Sequence, residues 1–155
     1  IEKVLREGRK WTASLFMVPL AVARRAIAQS GSSHYSAFSI LCQSSARPEI
    51  VFKVDRNNFD PPPEIESAVI KLTRTAQPPS ETFFKVVRAA FSGKRKKVKN
   101  TLKNIFNLQN SEVKRVLEEA GIAPGCRPHQ INIEGYRRLT EKFWQLKESG
   151  KQDKE

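Results

Sequence analysis

Several things are scarce in this chain of 155 residues. Cysteine occurs twice, at Cys42 and Cys126, far apart and without metal-ligand spacing. That excludes a disulfide framework and reads as two reduced thiols of a cytoplasmic protein. Histidine also occurs only twice, at His34 and His129, with no neighbouring ligand types, so no metal site is expected. The seven glycines never take the spacing of a phosphate or dinucleotide loop. No Ser/His/Asp set and no convergent carboxylate pair is visible, and Asp55, Glu64 and Glu66 read as solvated charge. No apolar run approaches the ~18 residues of a membrane span, and no signal peptide is visible, so a membrane partner is not expected.

Acidic residues are the most unevenly missing. The net charge is +12; residues 1–75 carry 11 Lys/Arg against 7 Asp/Glu, and residues 76–155 carry 17 against 9. Between Thr82 and Ser111 there is no carboxylate, while Lys85, Arg88, Lys94, Arg95, Lys96, Lys97, Lys99 and Lys103 are all basic. A patch of one sign concentrates polyanions, nucleic acid above all. Solvated helix faces normally alternate in sign.

The pattern of apolar residues divides the chain. Ile1 to Arg6 reads as the middle of an amphipathic helix closed by Gly8, so the chain is expected to continue upstream. Trp11 to Val18 is an apolar run suited to a buried, central, parallel strand. A helix over Pro19–Gln29 and another over Tyr35–Gln43 follow. Ile50–Val54 and Ile65–Thr73 then read as two strands at one edge of a sheet. Ala76–Ser80 is a linker, and everything after it is helical: Phe83, Phe84, Val87 and Phe91 share one face, and Val98, Leu102, Ile105 and Phe106 another. Ser111 is the expected N-cap of a helix that stops at Gly121. Tyr136, Leu139, Phe143 and Leu146 line a last helix. The rings of Trp11, Tyr35, Tyr136 and Trp144 are assigned to packing. The fold class is therefore α/β followed by all-α. The domains are 1–75, the closing part of an α/β sheet, a linker over 76–81, a helical domain over 82–148 and a frayed tail over 149–155.

Two motifs carry chemistry. With Val98 at the centre of a buried seam, Lys96, Lys99, Asn100 and Lys103 fall on the opposite face at 100° per residue. Ammonium groups there can follow phosphates, Asn100 can bond sugar or phosphate oxygens, and Arg95 can fork onto a phosphate. The second motif is Phe59-Asp60-Pro61-Pro62-Pro63. Proline fixes φ and lacks an N–H, so the segment is a stiff, extended rail unable to join a ladder. It either holds Phe59 as a surface for an unstacked base or shapes an edge loop while Phe59 caps the core.

In sum these motifs resemble the small-subunit ribosomal RNA adenine N6,N6-dimethyltransferase family. Phe59 to Leu72 is similar to the family's F-x-P-P-P-x-V-D-S-A-V block, with Glu66 in place of Asp. Tyr35 to Gln43 resembles its Y-G-x-L-S-V-x-x-Q helix. Phe91 to Leu102 resembles F-x-x-R-R-K-x-x-x-N-x-L, with Lys94, Arg95, Lys96 and Asn100 on the matching positions. Ala120 to Pro124 followed by Arg127-Pro128 resembles its last inter-helix loop. Met17-Val18-Pro19-Leu20-Ala21 departs from the usual M-V-Q-K-E, which puts polar contacts there in doubt.

The resemblance implies a carboxyl-terminal half: closing strands and helices of a Rossmann-like methyltransferase sheet plus a small helical domain. The S-adenosylmethionine site and all catalytic groups would lie in the missing amino-terminal half, leaving this segment inactive alone. Phe59, Pro61, Pro62 and Pro63 would form the target-base wall. Arg88, Lys94, Arg95, Lys96, Lys97, Lys99, Asn100 and Lys103 would bind RNA. The partner implied is small-subunit rRNA within an immature small ribosomal subunit, met in the cytoplasm by a monomeric enzyme. The related large-subunit methyltransferase, a mitochondrial transcription-factor relative and a non-catalytic RNA-binding or assembly module stand as alternatives.

Overall fold

The computed structural model describes residues 1–7, 11–75, 78–93 and 95–152, with side-chain surroundings for all of these except 6–7 and 147–152. The expected stop at Gly8 lies outside the described residues, as do Ala76 and Gln77 of the linker. The chain forms two compact units, 1–79 and 80–155.

The first unit runs α1 (Glu2–Glu7), β1 (Ala13–Pro19), α2 (Leu20–Ala26), α3 (Ala37–Ser45), β2 (Ala46–Val54), a 3-10 turn (Arg56–Asn58) and β3 (Ser67–Arg74). The strands order β1-β3-β2, and β3 is antiparallel to both neighbours. Hence β1 and β2 run parallel to each other, and their carboxyl ends, Pro19 and Val54, both face Ser67. Alternation along β3 sends Ala68, Ile70 and Leu72 to one face, where all three are fully buried. The helices α2 and α3 pack on the strands. The start of α3 is held by a reciprocal cap, with the Ser36 N–H on Ser39 Oγ at 3.0 Å and the Ser39 N–H on Ser36 Oγ at 3.4 Å. Gln43 Nε2 on α3 donates to the carbonyls of Ala26 (3.0 Å) and Ala28 (2.7 Å), tying it to the end of α2.

The opposite face of the sheet is open. Met17 pairs with Val69, and Val69 with Phe52, so an apolar row crosses all three strands. Leu15, Met17 and Phe52 are 65%, 58% and 55% exposed. This corrects the expectation of a buried, central, parallel strand over 11–18: β1 alternates between exposed and half-buried, pairs antiparallel with β3 and, among the described residues, has no strand on its outer edge. An unbroken apolar run conceals such alternation because both of its faces are apolar. The two strands expected together at one edge are neighbours, β2 outermost and β3 beside it in the middle of the sheet.

The second unit contains α4 (Glu81–Phe91), α5 (Val98–Phe106), α6 (Asn110–Glu119), a 3-10 turn (Pro128–Gln130) and α7 (Ile133–Gln152). Its core gathers Phe83, Val86, Val87, Val98, Leu102, Val113, Leu117, Tyr136, Leu139 and Phe143, all buried. Ser80 caps α4, its Oγ accepting the Phe83 N–H at 3.2 Å. The helix α6 begins two residues earlier than Ser111 predicts: Glu112 reaches back to the Gln109 N–H at 2.6 Å, and that contact fixes the start. It ends at Gly121, whose φ of +69° suits a residue without Cβ, with Ile122 N–H returning to the Leu117 carbonyl at 2.8 Å. Tyr136 Oη donates to the Pro128 carbonyl at 2.9 Å, and its ring stacks on Phe91 at 6.1 Å. Two residues assigned to packing are outside it: Ile105 is 52% and Trp144 53% exposed. The last helix continues to Gln152, through the first residues of the segment expected to fray, and 153–155 lie outside the described residues.

Removing the Leu117 side chain opens a cavity among helices, whereas Tyr136→Phe removes one hydrogen bond and keeps the ring. Leu117→Ala is expected to lower the stability of the second unit by about 2–5 kcal/mol, and Tyr136→Phe by about 1 kcal/mol. Hydrogen exchange of the α6 and α7 amides reads both; equal losses would contradict this packing.

Candidate nucleic-acid interface

The basic segment is built on the turn between α4 and α5. Lys96 N–H donates to the Gly93 carbonyl at 2.9 Å. A Cβ on Gly93 would stand 2.9 Å from Lys96 Cδ, so the lysine stem lies against the bare glycine. The next turn is anchored from two sides. Val98 N–H donates to the Cys126 carbonyl at 2.9 Å, and Thr101 Oγ1, itself buried, donates to the carbonyls of Val98 (2.9 Å) and Ala90 (3.3 Å). With Val98, Thr101 and Leu102 facing inward, α5 turns Lys99, Asn100, Lys103 and Asn104 outward. The helix closes at Asn107 in the left-handed region (φ 51°), a conformation asparagine tolerates, and the chain re-enters α6 at Asn110.

The result is an open groove of about 540 Å³ lined by Lys96, Lys99, Asn100, Lys103, Asn104 and Asn110. None of the six is acidic or aromatic. Among the described residues no carboxylate pairs with Lys96, Lys99 or Lys103. The lysines that do pair on this unit are elsewhere, such as Lys114 with Glu118 at 3.8 Å.

Not every residue expected here is in the groove. The helix begins only at Val98, so Arg95, Lys96 and Lys97 belong to the preceding turn rather than to a basic helix. Arg95 and Lys97 are exposed but do not line the groove, nor does Arg88, exposed on α4. Lys94 lies outside the described residues. Asn104 and Asn110 were not anticipated. Asn104 stands one turn beyond Asn100, a spacing that places both on one face, whereas Asn110 arrives from another helix and has no signal in the sequence.

In the first unit, Phe59 sits in the connection from β2 to β3. Asp55 accepts the Asn57 N–H at 2.8 Å, shaping the 3-10 turn, and the Phe59 N–H returns to the Arg56 carbonyl at 3.2 Å. Phe59 is extended (φ −120°, ψ 149°) and half-buried, neither sealed in the core nor free of it. Pro61 and Pro62 are exposed, Pro63 is half-buried, and the Asp60–Pro61 bond is cis, so the rail is not continuous trans polyproline. The connection closes where the Leu20 N–H donates to the Glu66 carbonyl at 2.9 Å. Phe59 therefore lies at the carboxyl ends of β1 and β2, the end of an α/β sheet where ligands are usually held.

Of the two thiols, Cys42 is buried and Cys126 half-buried. Burial pushes the Cys42 thiol up to about 12, and neither cysteine is in a disulfide.

Residues 1–143 match the family model described as ribosomal RNA adenine dimethylase. The chain belongs to this family. It is 36% identical over 147 residues to ribosomal RNA small subunit methyltransferase A of Protochlamydia amoebophila, covering 92% of this chain and 50% of that protein. The chain thus spans about half the length of the curated relatives it matches. Among solved structures, it is similar to a dimethyladenosine transferase from Plasmodium falciparum (TM-score 0.79, 21% identity, 92% of this chain and 61% of that one). It is also similar to the 23S rRNA methyltransferase ErmE (TM-score 0.60, 23% identity, 88% and 56%). The small α/β sheet followed by helices thus has the fold of part of a Rossmann-like methyltransferase.

A thiol reagent at pH 8 is expected to label half-buried Cys126 and spare Cys42, whose thiolate is suppressed by burial. Cys126→Ser should abolish rapid labelling; a second rapid equivalent in the native chain would contradict the burial of Cys42.

Proposed function

We propose that this chain is the RNA-docking and target-base part of an S-adenosylmethionine-dependent rRNA adenine N6,N6-dimethyltransferase. Its substrate is two adjacent adenines near the 3′ end of small-subunit rRNA, within an immature small subunit in the cytoplasm, and it acts as a monomer. The observation that carries this reading is the carboxylate-free groove of Lys96, Lys99, Asn100 and Lys103 in a member of the rRNA adenine dimethylase family. Among the described residues no helix is long and apolar enough to cross a membrane.

Each residue then has a physical task. The ammonium groups of Lys96, Lys99 and Lys103 neutralise phosphates and release their counterions on docking. Arg88, Arg95 and Lys97 add to the positive field of this unit and steer the encounter, and Lys94 contributes charge to the same segment of sequence. Phe59 offers a ring face to an adenine turned out of its stack, and Pro61, Pro62 and Pro63 limit where that ring can go.

The junction that follows β1 does not suit the cofactor. The β1–α2 junction, Pro19–Leu20, has no glycine that would let the backbone approach a nucleoside closely, and α2 has only seven residues. S-adenosylmethionine, which supplies the methyl group, is therefore assigned to the part of the relatives' length this chain does not cover. That part would also cover the open apolar face of the sheet, where Leu15, Met17 and Phe52 are exposed. On this reading the present chain alone transfers no methyl group.

Replacing Lys96, Lys99 and Lys103 by Ala is expected to weaken RNA binding and to flatten the plot of log affinity against log salt by roughly 2–3. An unchanged slope would remove the groove from docking. In a protein of full family length, Phe59→Ala should lower methylation by about 10–100-fold, the worth of one stacked base, with RNA affinity nearly kept. Parallel losses in both would make Phe59 a structural residue.

A further inference from the structure

The groove is half lysine and half asparagine, and the two residue types do different chemistry. A lysine ammonium only donates, which suffices for phosphate oxygens on any nucleic acid. A carboxamide also accepts, so it can take the proton of a hydroxyl while its NH₂ donates elsewhere. Asn100, Asn104 and Asn110 are all exposed at the groove, and no hydrogen bond among the described residues engages their amides. The carboxylate nearest to Asn110 in sequence, Glu112, is turned back onto the Gln109 N–H at 2.6 Å.

The groove also lacks any surface on which a base could stack. None of its six lining residues is aromatic or an arginine. The rings nearest in sequence are turned to the core, with Phe91 on Tyr136 at 6.1 Å and Phe106 on Phe143 at 5.0 Å. Single strands are held largely by stacking, whereas an A-form helix presents phosphates and 2′-hydroxyls along a wide, shallow minor groove.

We infer that this groove is a ribose-phosphate site for double-helical RNA, in which Asn104 and Asn110 contact 2′-hydroxyls and set the preference for RNA over DNA. The inference rests on the docking role proposed for the same groove and adds the form of nucleic acid it takes. Asn104 and Asn110 contribute specificity, and the lysines contribute affinity. Loss of the amides should thus leave the salt dependence intact, since no charge is removed.

The test compares the 155-residue chain and its Asn104→Ala/Asn110→Ala variant on three probes of one sequence: an RNA duplex of about 16 base pairs, the matching DNA duplex, and single-stranded RNA. The chain should bind the RNA duplex about 10-fold more tightly than the DNA duplex, as one or two added hydrogen bonds allow, and more tightly than the single strand. The variant should fall to its DNA-duplex affinity on RNA, with DNA binding and salt slope unchanged. Both substituted side chains are exposed, so circular dichroism should show an unchanged helix content. Salt-dependent binding with equal affinity for RNA and DNA duplexes, or a preference for the single strand, overturns this inference while leaving the docking role standing. No salt-dependent binding to any probe overturns both.

Discussion

Three ammonium groups share one groove although they repel each other, and the second unit depends on what holds them there. In water, two unit charges 4 Å apart cost about 1 kcal/mol, and less when separated further or screened by salt. Burying an aliphatic side chain returns about 1.5–3 kcal/mol, and α5 buries Val98 and Leu102 completely. The apolar seam therefore outweighs the repulsion and fixes which side chains face outward. Thr101, bonded to Val98 and Ala90, and the Val98 N–H on Cys126, set the rotation and the starting point of the helix. Positive charge without compensating carboxylates then persists on the surface as an unspent attraction for a polyanion.

The first unit solves a different problem, the placement of a ring at the edge of a sheet. Because β3 runs antiparallel between β1 and β2, both outer strands deliver their carboxyl ends to the same side. The connection carrying Phe59 leaves from that side and is closed onto the start of α2 through Glu66 and Leu20. Three prolines over five residues leave this connection few ways to rearrange. The ring is half-buried, so packing holds it in part while one portion stays accessible.

Much of this was legible in the sequence because amphipathic periodicity is strong where one face meets a core. Val98 and Leu102 mark the inward face of α5, and that periodicity alone places Lys99, Asn100 and Lys103 together. Tyr136, Leu139 and Phe143 did the same for α7. Legibility failed where a contact comes from elsewhere in the chain. Asn110 joins the groove only because Asn107 turns left-handed and redirects the backbone. The start of α6 is set by Glu112 reaching back to Gln109, a partner that competes with the better N-cap residue Ser111. The run around Leu15 and Met17 is apolar on both faces, so its sequence reads as buried, whereas its strand leaves one face of the sheet open.

The central claim is that Lys96, Lys99 and Lys103 together grip RNA phosphates. Amine acylation of the chain with and without a small-subunit rRNA 3′ segment, read lysine by lysine by mass spectrometry, tests it most directly. Lys96, Lys99 and Lys103 should be shielded by the RNA while Lys114, paired with Glu118 on α6, reacts equally in both samples. Shielding spread evenly over all lysines, or none at the three in the groove, would contradict the account.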